Sequence, residues 1–392
     1  LQQLISLSAD HLGQLGLSFN VKKSAVLRFA GDKTSVSTVH LPSGEPIPQT
    51  SDYRYLGVTI SAQGGLYAAH EERARLSSQR ACCILRRRCL WGCSRYVMVR
   101  ELWKAVHVPG LTFANAVVCM SASTRAWLER GQHEVGRVAL GCHGRVAIEA
   151  IQGDLGWSSF EAREASSKIA FEERLRILPD TRWARRVFRY LYFKGIGTQW
   201  RARVQRLRGK FGFLARTTES TEETERQPSR KVRAQVQAAE AAKWHSDMQK
   251  KTTLQLYRAH KKEIAREQLY DNSGGSALLF EARAGALRTL VYRRRFDPSA
   301  DVQAAICRTC GKEEELPEHL VLHCDGLSPP QADGATFPRA LGFEAGEGER
   351  EGERGANRRT PTKAVSITKA RLQRWWQMTR RCPIPRTEPT QT

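Results

Sequence analysis

Hydrophobic residues recur every three or four positions over most of the chain, the spacing of one face of an α-helix. The first such stretch covers residues 1–15 and ends at Gly16, a typical helix stop. Further helices are predicted at residues 73–91, 97–107, 122–140, 158–177 and 182–207. The spacing resumes over residues 233–268 and again over residues 365–378. These patterns predict a mainly α-helical protein.

Short apolar runs near the amino terminus predict a small amount of β-structure. Residues 17–19 and 25–29 have the composition of strands on either side of a polar bend. A second pair of strands is predicted at residues 36–41 and 53–60, with a turn at Pro42–Ser43–Gly44.

Polar segments without periodicity divide the chain. Residues 214–232 are predicted to be a linker, and residues 327–363 to be disordered, because their composition buries too little apolar surface. The second segment contains Glu-Gly-Glu-Arg twice in tandem. The predicted order is a β-containing unit (1–62), a helical domain (63–213), the linker (214–232), a helical and mixed connector (233–300), a cysteine-rich unit (301–326), the disordered segment (327–363) and a short helix with a tail (364–392).

The net charge of the chain indicates which class of partner it binds. The chain has 63 Lys+Arg against 40 Asp+Glu, a net charge of +23. Such an excess favours phosphate contacts with counterion release, and therefore RNA or DNA as partner. An acidic protein, a membrane surface or a merely solvated basic face are the alternatives. The residues predicted to contact nucleic acid are Lys22, Lys23, Arg86, Arg87, Arg88, Arg293, Arg294 and Arg295.

Targeting signals and membrane spans are not recognisable in the sequence. The chain starts with Leu1, so either the amino terminus was processed or the coding frame was entered midway. Apolar runs such as residues 117–120 are far shorter than the roughly 20 residues of a membrane span. We therefore expect an intracellular segment, nuclear or cytoplasmic, without a membrane partner.

Four residues near the carboxyl end have the spacing of a metal site. Cys307, Cys310, His319 and Cys324 form the pattern C-x2-C-x8-H-x4-C. Two cysteines three apart and two ligands on one short helix close a tetrahedral Cys3His shell, which is typical of structural Zn²⁺. His323, one turn beyond His319, is an alternative fourth ligand. Unrelated residues or a redox Cys-x-x-Cys remain the alternatives to a metal.

A self-sufficient active site is not recognisable. No two aspartates lie within three residues of each other, so the paired carboxylates that hold two metal ions in a polymerase are missing. P-loop, nucleophile-elbow and zincin motifs are absent as well. The sequence predicts a chain that is catalytically incomplete by itself.

Several short segments of the sequence resemble segments of one protein family. Residues 16–24, Gly-Leu-Ser-Phe-Asn-Val-Lys-Lys-Ser, followed by Leu-Arg-Phe at 27–29, closely resemble the segment after the Tyr-x-Asp-Asp box of non-LTR (LINE-like) retrotransposon reverse transcriptases. Residues 53–58 look like the primer-grip hairpin of this family, and residues 151–157 are similar to its thumb region. The cysteine–histidine pattern resembles its zinc knuckle. The helix with Trp375 and Trp376 is similar to arthropod, tick-type elements.

This resemblance implies a carboxy-terminal part of an RNA-directed DNA polymerase: a palm and primer-grip remnant, a helical thumb and a zinc knuckle. Lys23 matches the motif lysine near the nucleotide phosphates, and Tyr55, Leu56 and Gly57 match the primer grip. Basic helices between residues 73 and 207 are expected to line the template–primer duplex. Mg²⁺ belongs only to the intact parent polymerase, and the catalytic aspartates to a missing amino-terminal polymerase half. A free-standing, non-catalytic, zinc-dependent nucleic-acid-binding protein derived from such an element is the alternative.

Overall fold

The computed structural model describes residues 1–29, 38–87, 95–213, 228–296, 305–344 and 362–380. Within these ranges the protein is mainly α-helical, as the hydrophobic spacing predicts, with a single antiparallel pair of strands, β1 (Asp52–Tyr55) and β2 (Val58–Ser61). The helices are α1 (Gln2–Gln14), α2 (Ala68–Leu85), α3 (Arg95–Leu102), α4 (Val108–Leu111), α5 (Ala122–Leu140), α6 (Ile148–Leu155), α7 (Phe160–Ile177), α8 (Trp183–Phe193), α9 (Gln199–Lys210), α10 (Pro228–Gln249), α11 (Gln255–His260), α12 (Gly274–Arg283), α13 (Leu290–Arg294), α14 (Phe337–Ala340) and α15 (Lys363–Arg380). Trp103–His107 and His319–His323 are wound as π-helix.

Capping residues explain why α5 has the bounds that its spacing predicts. The Ser121 side chain accepts a hydrogen bond from the backbone N–H of Thr124, which satisfies one of the free donors of the first turn. The helix ends at Gly141, whose φ of 72° is the left-handed conformation that glycine adopts most readily.

The strands pair differently from the sequence prediction. Residues 53–60 were expected to pair with residues 36–41, but β1 pairs with β2, so this segment folds on itself. A two-residue turn joins the strands, with φ of 47° at Leu56 and 87° at Gly57, which is the geometry of a type I′ hairpin. Local closure of this kind involves a much shorter loop than pairing with residues 36–41. The predicted turn at residues 42–44 exists, but it joins bridge partners His40 and Pro46.

Two other predictions of local structure were wrong. The segments at 17–19 and 25–29 are not strands: a short 3₁₀ turn, Val21–Lys23, lies between them, and only Val26 forms a bridge, with Gln49. The helix expected at 182–207 is broken between α8 and α9. Gly195 adopts a φ of 62°, and the Thr198 side chain then caps α9 by accepting from the N–H of Arg201.

The predicted disorder of residues 327–363 is wrong for the first part of that segment. Leu327 and Leu341 are buried, and the backbone carbonyl of Leu341 accepts a 2.6 Å hydrogen bond from the buried Arg283 guanidinium. Residues 345–361, with the Glu-Gly-Glu-Arg repeat, lie outside the described residues. Of the predicted linker 214–232, residues 228–232 begin α10 with Val232 buried, and residues 214–227 lie outside the described residues.

Two hydrophobic clusters organise the described helices. The smaller one joins α7, α9 and α10. The larger one extends from Ala74 in α2 to Trp375 in α15 and includes Cys307, Leu320 and Cys324. It therefore crosses the boundaries that the sequence suggests at residues 213, 300 and 326, and it places the cysteine-rich unit against the main core.

Candidate metal centre

The first two candidate ligands lie on a tight hairpin. The backbone N–H of Cys307 donates to the Glu313 carbonyl at 2.7 Å, and Glu315 donates to Ala305 at 2.8 Å. Between these bonds the chain reverses at Gly311, which has a φ of 66° and donates to the Cys307 carbonyl at 2.8 Å. A left-handed residue directly after Cys310 turns the chain back, so both thiols lie on the same side of the hairpin.

The other two ligands flank one π-helical turn: His319 is the first residue of the turn His319–His323, and Cys324 directly follows it. Its closing hydrogen bond runs from the N–H of Cys324 to the His319 carbonyl at 2.8 Å, a spacing of five residues. An α-helix would place His319 and His323 on one face, whereas this wider turn brings Cys324 next to His319. His323 is exposed and does not belong to the cluster.

The four groups have the proximity that a small cation requires. One ligand atom from each of Cys307, Cys310, His319 and Cys324 lies within 4.8 Å of all the others. The sulfurs of Cys307 and Cys324 are 3.8 Å apart, and the Cys310 sulfur is 3.3 Å from Nε2 of His319. Two sulfurs bound tetrahedrally to Zn²⁺ at about 2.3 Å are about 3.8 Å apart. The cluster could therefore hold a metal ion, and its donor set is compatible with structural zinc.

A carboxylate orients the histidine. Nδ1 of His319 lies 2.7 Å from a carboxylate oxygen of Glu313, so Nδ1–H donates to Glu313 and the lone pair of Nε2 faces the cysteines. Spacing alone could not distinguish Glu313 from its neighbours in the Glu313–Glu315 run, because all of these glutamates follow the same pair of cysteines. The structure separates them: Glu313 contacts the ligand, whereas Glu315 is completely buried elsewhere.

The thiols of Cys310 and Cys324 differ in pKa. Burial, followed by the adjacent Cys307 thiol, raises the pKa of Cys324 to about 12. Burial also opposes ionisation of Cys310, but the backbone N–H groups of Lys312 and Glu313 outweigh it and lower its pKa to about 7. Clustered thiolates repel each other, so full deprotonation requires a neutralising cation.

Buried arginine and glutamate side chains fix this unit to the rest of the protein. From α15, Arg371 donates to four backbone carbonyls that follow the π-turn or belong to it: Leu320 (3.1 Å), Cys324 (3.0 Å), Leu327 (2.7 Å) and Pro329 (2.9 Å). On the other side, the Glu315 carboxylate accepts from the N–H of Leu290 at 3.0 Å and from the Arg308 guanidinium at 3.2 Å. The candidate centre thus connects α13 with α15.

The predicted lysines and the predicted primer-grip residues lie close to each other near the amino terminus. Lys22 and Lys23 are exposed in the 3₁₀ turn, and the Lys23 carbonyl accepts from the Tyr53 hydroxyl of β1. Tyr55 and Leu56 are exposed at the hairpin turn. Gly57 packs so closely on Phe113 that an added Cβ would be 2.8 Å from its ring. This arrangement brings the predicted motif lysine and the predicted primer grip to neighbouring segments.

Some of the arginines predicted to contact nucleic acid interact with other residues of the protein. Arg86 pairs with Glu134, Arg87 is exposed, and Arg88 lies outside the described residues. Arg293 and Arg294 are half-buried on α13, and Arg295 after it is exposed. Sequence reasoning missed Arg371, because its acceptors are backbone carbonyls, which carry no sequence signal.

No protein-family model matches the chain, and neither a curated protein nor a solved structure is significantly similar to it. Among the described residues, no helix is both long enough and apolar enough to cross a membrane.

Proposed function

We propose that the protein binds nucleic acid and that a Zn²⁺ ion held by Cys307, Cys310, His319 and Cys324 is structural. The observation that carries this proposal is the closed Cys3His set. All four donors come from the protein, so no position is left for a substrate, which is typical of structural rather than catalytic zinc. The net charge of +23 supports a polyanionic partner.

The parent protein that we propose is a non-LTR retrotransposon reverse transcriptase. The chain would be its part after the Tyr-x-Asp-Asp box, with a palm remnant and primer grip, a thumb and a zinc knuckle. The segments at residues 16–24 and 53–58 support this origin. The hairpin that residues 53–58 form supports it as well. Polymerisation, with its Mg²⁺ ions, would then require the missing amino-terminal half.

Elemental analysis and binding measurements test the two parts of the proposal. Protein purified without chelator should contain one zinc per chain, and a metal content near zero would contradict the zinc assignment. Binding of RNA and DNA should weaken steeply with salt and depend little on sequence, because phosphate neutralisation dominates. A flat salt response with marked sequence selectivity would contradict this mode of binding.

The coding sequence upstream of Leu1 distinguishes the proposed parent from the free-standing binding protein. An in-frame Tyr-x-Asp-Asp within a few tens of codons supports the reverse transcriptase. An in-frame stop followed by a start codon near Leu1 supports the non-catalytic protein derived from such an element.

A further inference from the structure

A basic cleft lies between the loop after α5 and helix α13. It has a volume of about 450 Å³, in the range of small-ligand sites. We call it the arginine cleft, defined by His143, Arg145, Arg288, Tyr292, Arg293 and Phe296. Only Arg293 of this set is among the residues that the sequence singled out.

The charge in the arginine cleft is not balanced. Arg288 is paired with the buried Glu281, with both contacts at 3.2 Å. Within the described part of the chain, neither Arg145 nor Arg293 has an acidic side chain at ion-pair distance. Burial, and then the charges of Arg308 and Arg288, lowers the pKa of Arg293, although the buried Glu315 carboxylate opposes this shift. These cations are therefore held together despite mutual repulsion. An anion in the cleft would relieve that repulsion.

An aromatic ring stands beside these cations. Phe296 is 57% exposed, and the Arg145 guanidinium lies over one face of its ring, 4.5 Å from the centroid. Tyr292 meets the same ring edge-on at 5.4 Å and holds it in place. Arginines that track a phosphate backbone, with an exposed ring on which a base stacks, are the combination by which proteins hold single strands. A duplex does not offer its base faces for this contact.

We propose that the arginine cleft binds single-stranded nucleic acid, with Arg145 and Arg293 on the phosphates and Phe296 stacked on a base. The inference rests on the proposed nucleic-acid binding and assigns it a specific site. An acidic peptide would also satisfy the two arginines, but the exposed ring beside them favours a base.

The candidate metal centre supports one wall of this cleft. Buried Glu315 accepts from the N–H of Leu290 at the start of α13, and it is held by Arg308, the residue after Cys307. Arg293 and Phe296 follow on the same helix or directly after it. The position of the cleft residues is therefore fixed by the unit that carries the ligands.

The test compares two variants of the full chain that lose the same charge. R145Q/R293Q removes the cleft cations, and R230Q/R233Q removes two exposed arginines at the start of α10. Binding of a fluorescent uridine-rich RNA 15-mer and of the matching DNA strand is measured over a salt series. The cleft variant should bind both at least tenfold more weakly, with a salt slope smaller by about 1.4 for two lost single-strand phosphate contacts. The control variant should stay within about twofold of the wild type.

Equal losses in the two variants would overturn the cleft assignment, because charge alone would then explain binding. An unchanged cleft variant beside a wild type that binds would overturn it as well and leave the proposed function standing. A wild type that binds no nucleic acid at any salt concentration would contradict both. A loss confined to the RNA strand or to the DNA strand supports the cleft and identifies which polymer it takes.

Two further measurements address the stacked base and the class of partner. F296L keeps an apolar side chain but removes the ring, so it should weaken single-strand binding about tenfold and leave duplex binding unchanged. An equal effect on both would contradict stacking. Polyglutamate of matched charge should compete far less well than unlabelled RNA for the labelled strand. Equal competition would indicate that the cleft binds an acidic protein segment and not a nucleic acid.

Discussion

Asp154 is a completely buried carboxylate near the end of α6. It accepts hydrogen bonds from the Tyr257 hydroxyl at 2.6 Å, from Nε of Arg283 at 3.2 Å and from the Tyr270 hydroxyl. Burial disfavours the charged form of Arg283, but Asp154 outweighs it and raises the pKa of this arginine. The residue therefore compensates a cation in the core and has no access to a ligand.

Removing this carboxylate should destabilise the fold. D154A removes the completely buried counter-charge of Arg283 and leaves it with Glu267, whose carboxylate is 3.4 Å from its guanidinium, so we expect a loss of about 3–5 kcal/mol in the free energy of unfolding by urea. D247A is the matched control: Asp247 pairs with Lys243 and Lys250 at the surface, and its removal should change stability little. Similar losses in both variants would contradict a special role of the buried carboxylate.

Glu281 should make stability depend on pH. Burial raises its pKa to about 7 from 4.5, although Arg288 and the His143 N–H oppose the shift. The folded state therefore binds more protons than the unfolded state between these values, and stability falls as pH rises through this window.

E281Q removes this titration. Between pH 4.5 and 7 the wild type should lose up to about 3 kcal/mol relative to E281Q, a difference that urea unfolding at several pH values measures directly. Other titrating groups are common to both proteins and cancel in the comparison. Parallel curves for the two proteins would show that Glu281 is ionised at a normal pKa.

At the scale of elements, the π-helical turn decides between two candidate ligands. C324S should abolish stoichiometric zinc, because Cys324 is the residue that the turn brings to His319. H323A should keep one zinc per chain, because His323 is exposed. Metal content after dialysis against a competing chelator is the measurement, and loss of zinc in H323A with retention in C324S would reverse the assignment.

Helix α15 is predicted to anchor the candidate metal centre through a single side chain. R371M leaves four backbone carbonyls without their donor, so it should cost about 2–4 kcal/mol of stability. R374M, three residues along the same helix, removes an exposed arginine whose side chain donates, among the described residues, only to the Ser328 hydroxyl. Thermal unfolding should separate the two variants, and equal melting temperatures would contradict the anchoring role.

At the scale of the whole molecule, the candidate metal centre belongs to the main core. Cys307, Leu320 and Cys324 share a hydrophobic cluster with Trp375 of α15. Chelation should therefore expose amides in α13 and α15 as well as in the ligand loop (residues 305–327), which hydrogen exchange can detect. Increased exchange confined to residues 305–327 would show that the unit is independent of the core.

Sequence reasoning succeeded where local chemistry determines the structure. The bounds of α5 follow from hydrophobic spacing, a serine cap and a glycine stop, all within one segment. The cluster of three cysteines and one histidine likewise follows from spacing over 18 residues of sequence, 307–324. Both depend on contacts between residues that are close in the chain.

The failures concern contacts between distant segments. The three hydrogen-bond donors to the Asp154 carboxylate lie 103, 116 and 129 residues away in the chain, so its burial could not be derived from the sequence. Leu341 is buried although its segment is rich in polar residues and glycine, because its side chain packs in the main hydrophobic cluster and its carbonyl accepts from Arg283 of α12. The choice between His323 and Cys324 stayed open in the sequence, because spacing does not distinguish an α-turn from a π-turn.

Arg371 has a consequence for the order in which the protein is built. It follows Cys324 by 47 residues, so the ligand loop leaves the ribosome before the helix that supplies this side chain. All four candidate ligands are present by then, so a metal ion could bind while α15 is still being synthesised. A truncated chain that ends before Lys363 would therefore contain all four ligands. Water would then replace the Arg371 guanidinium at the four backbone carbonyls to which it donates.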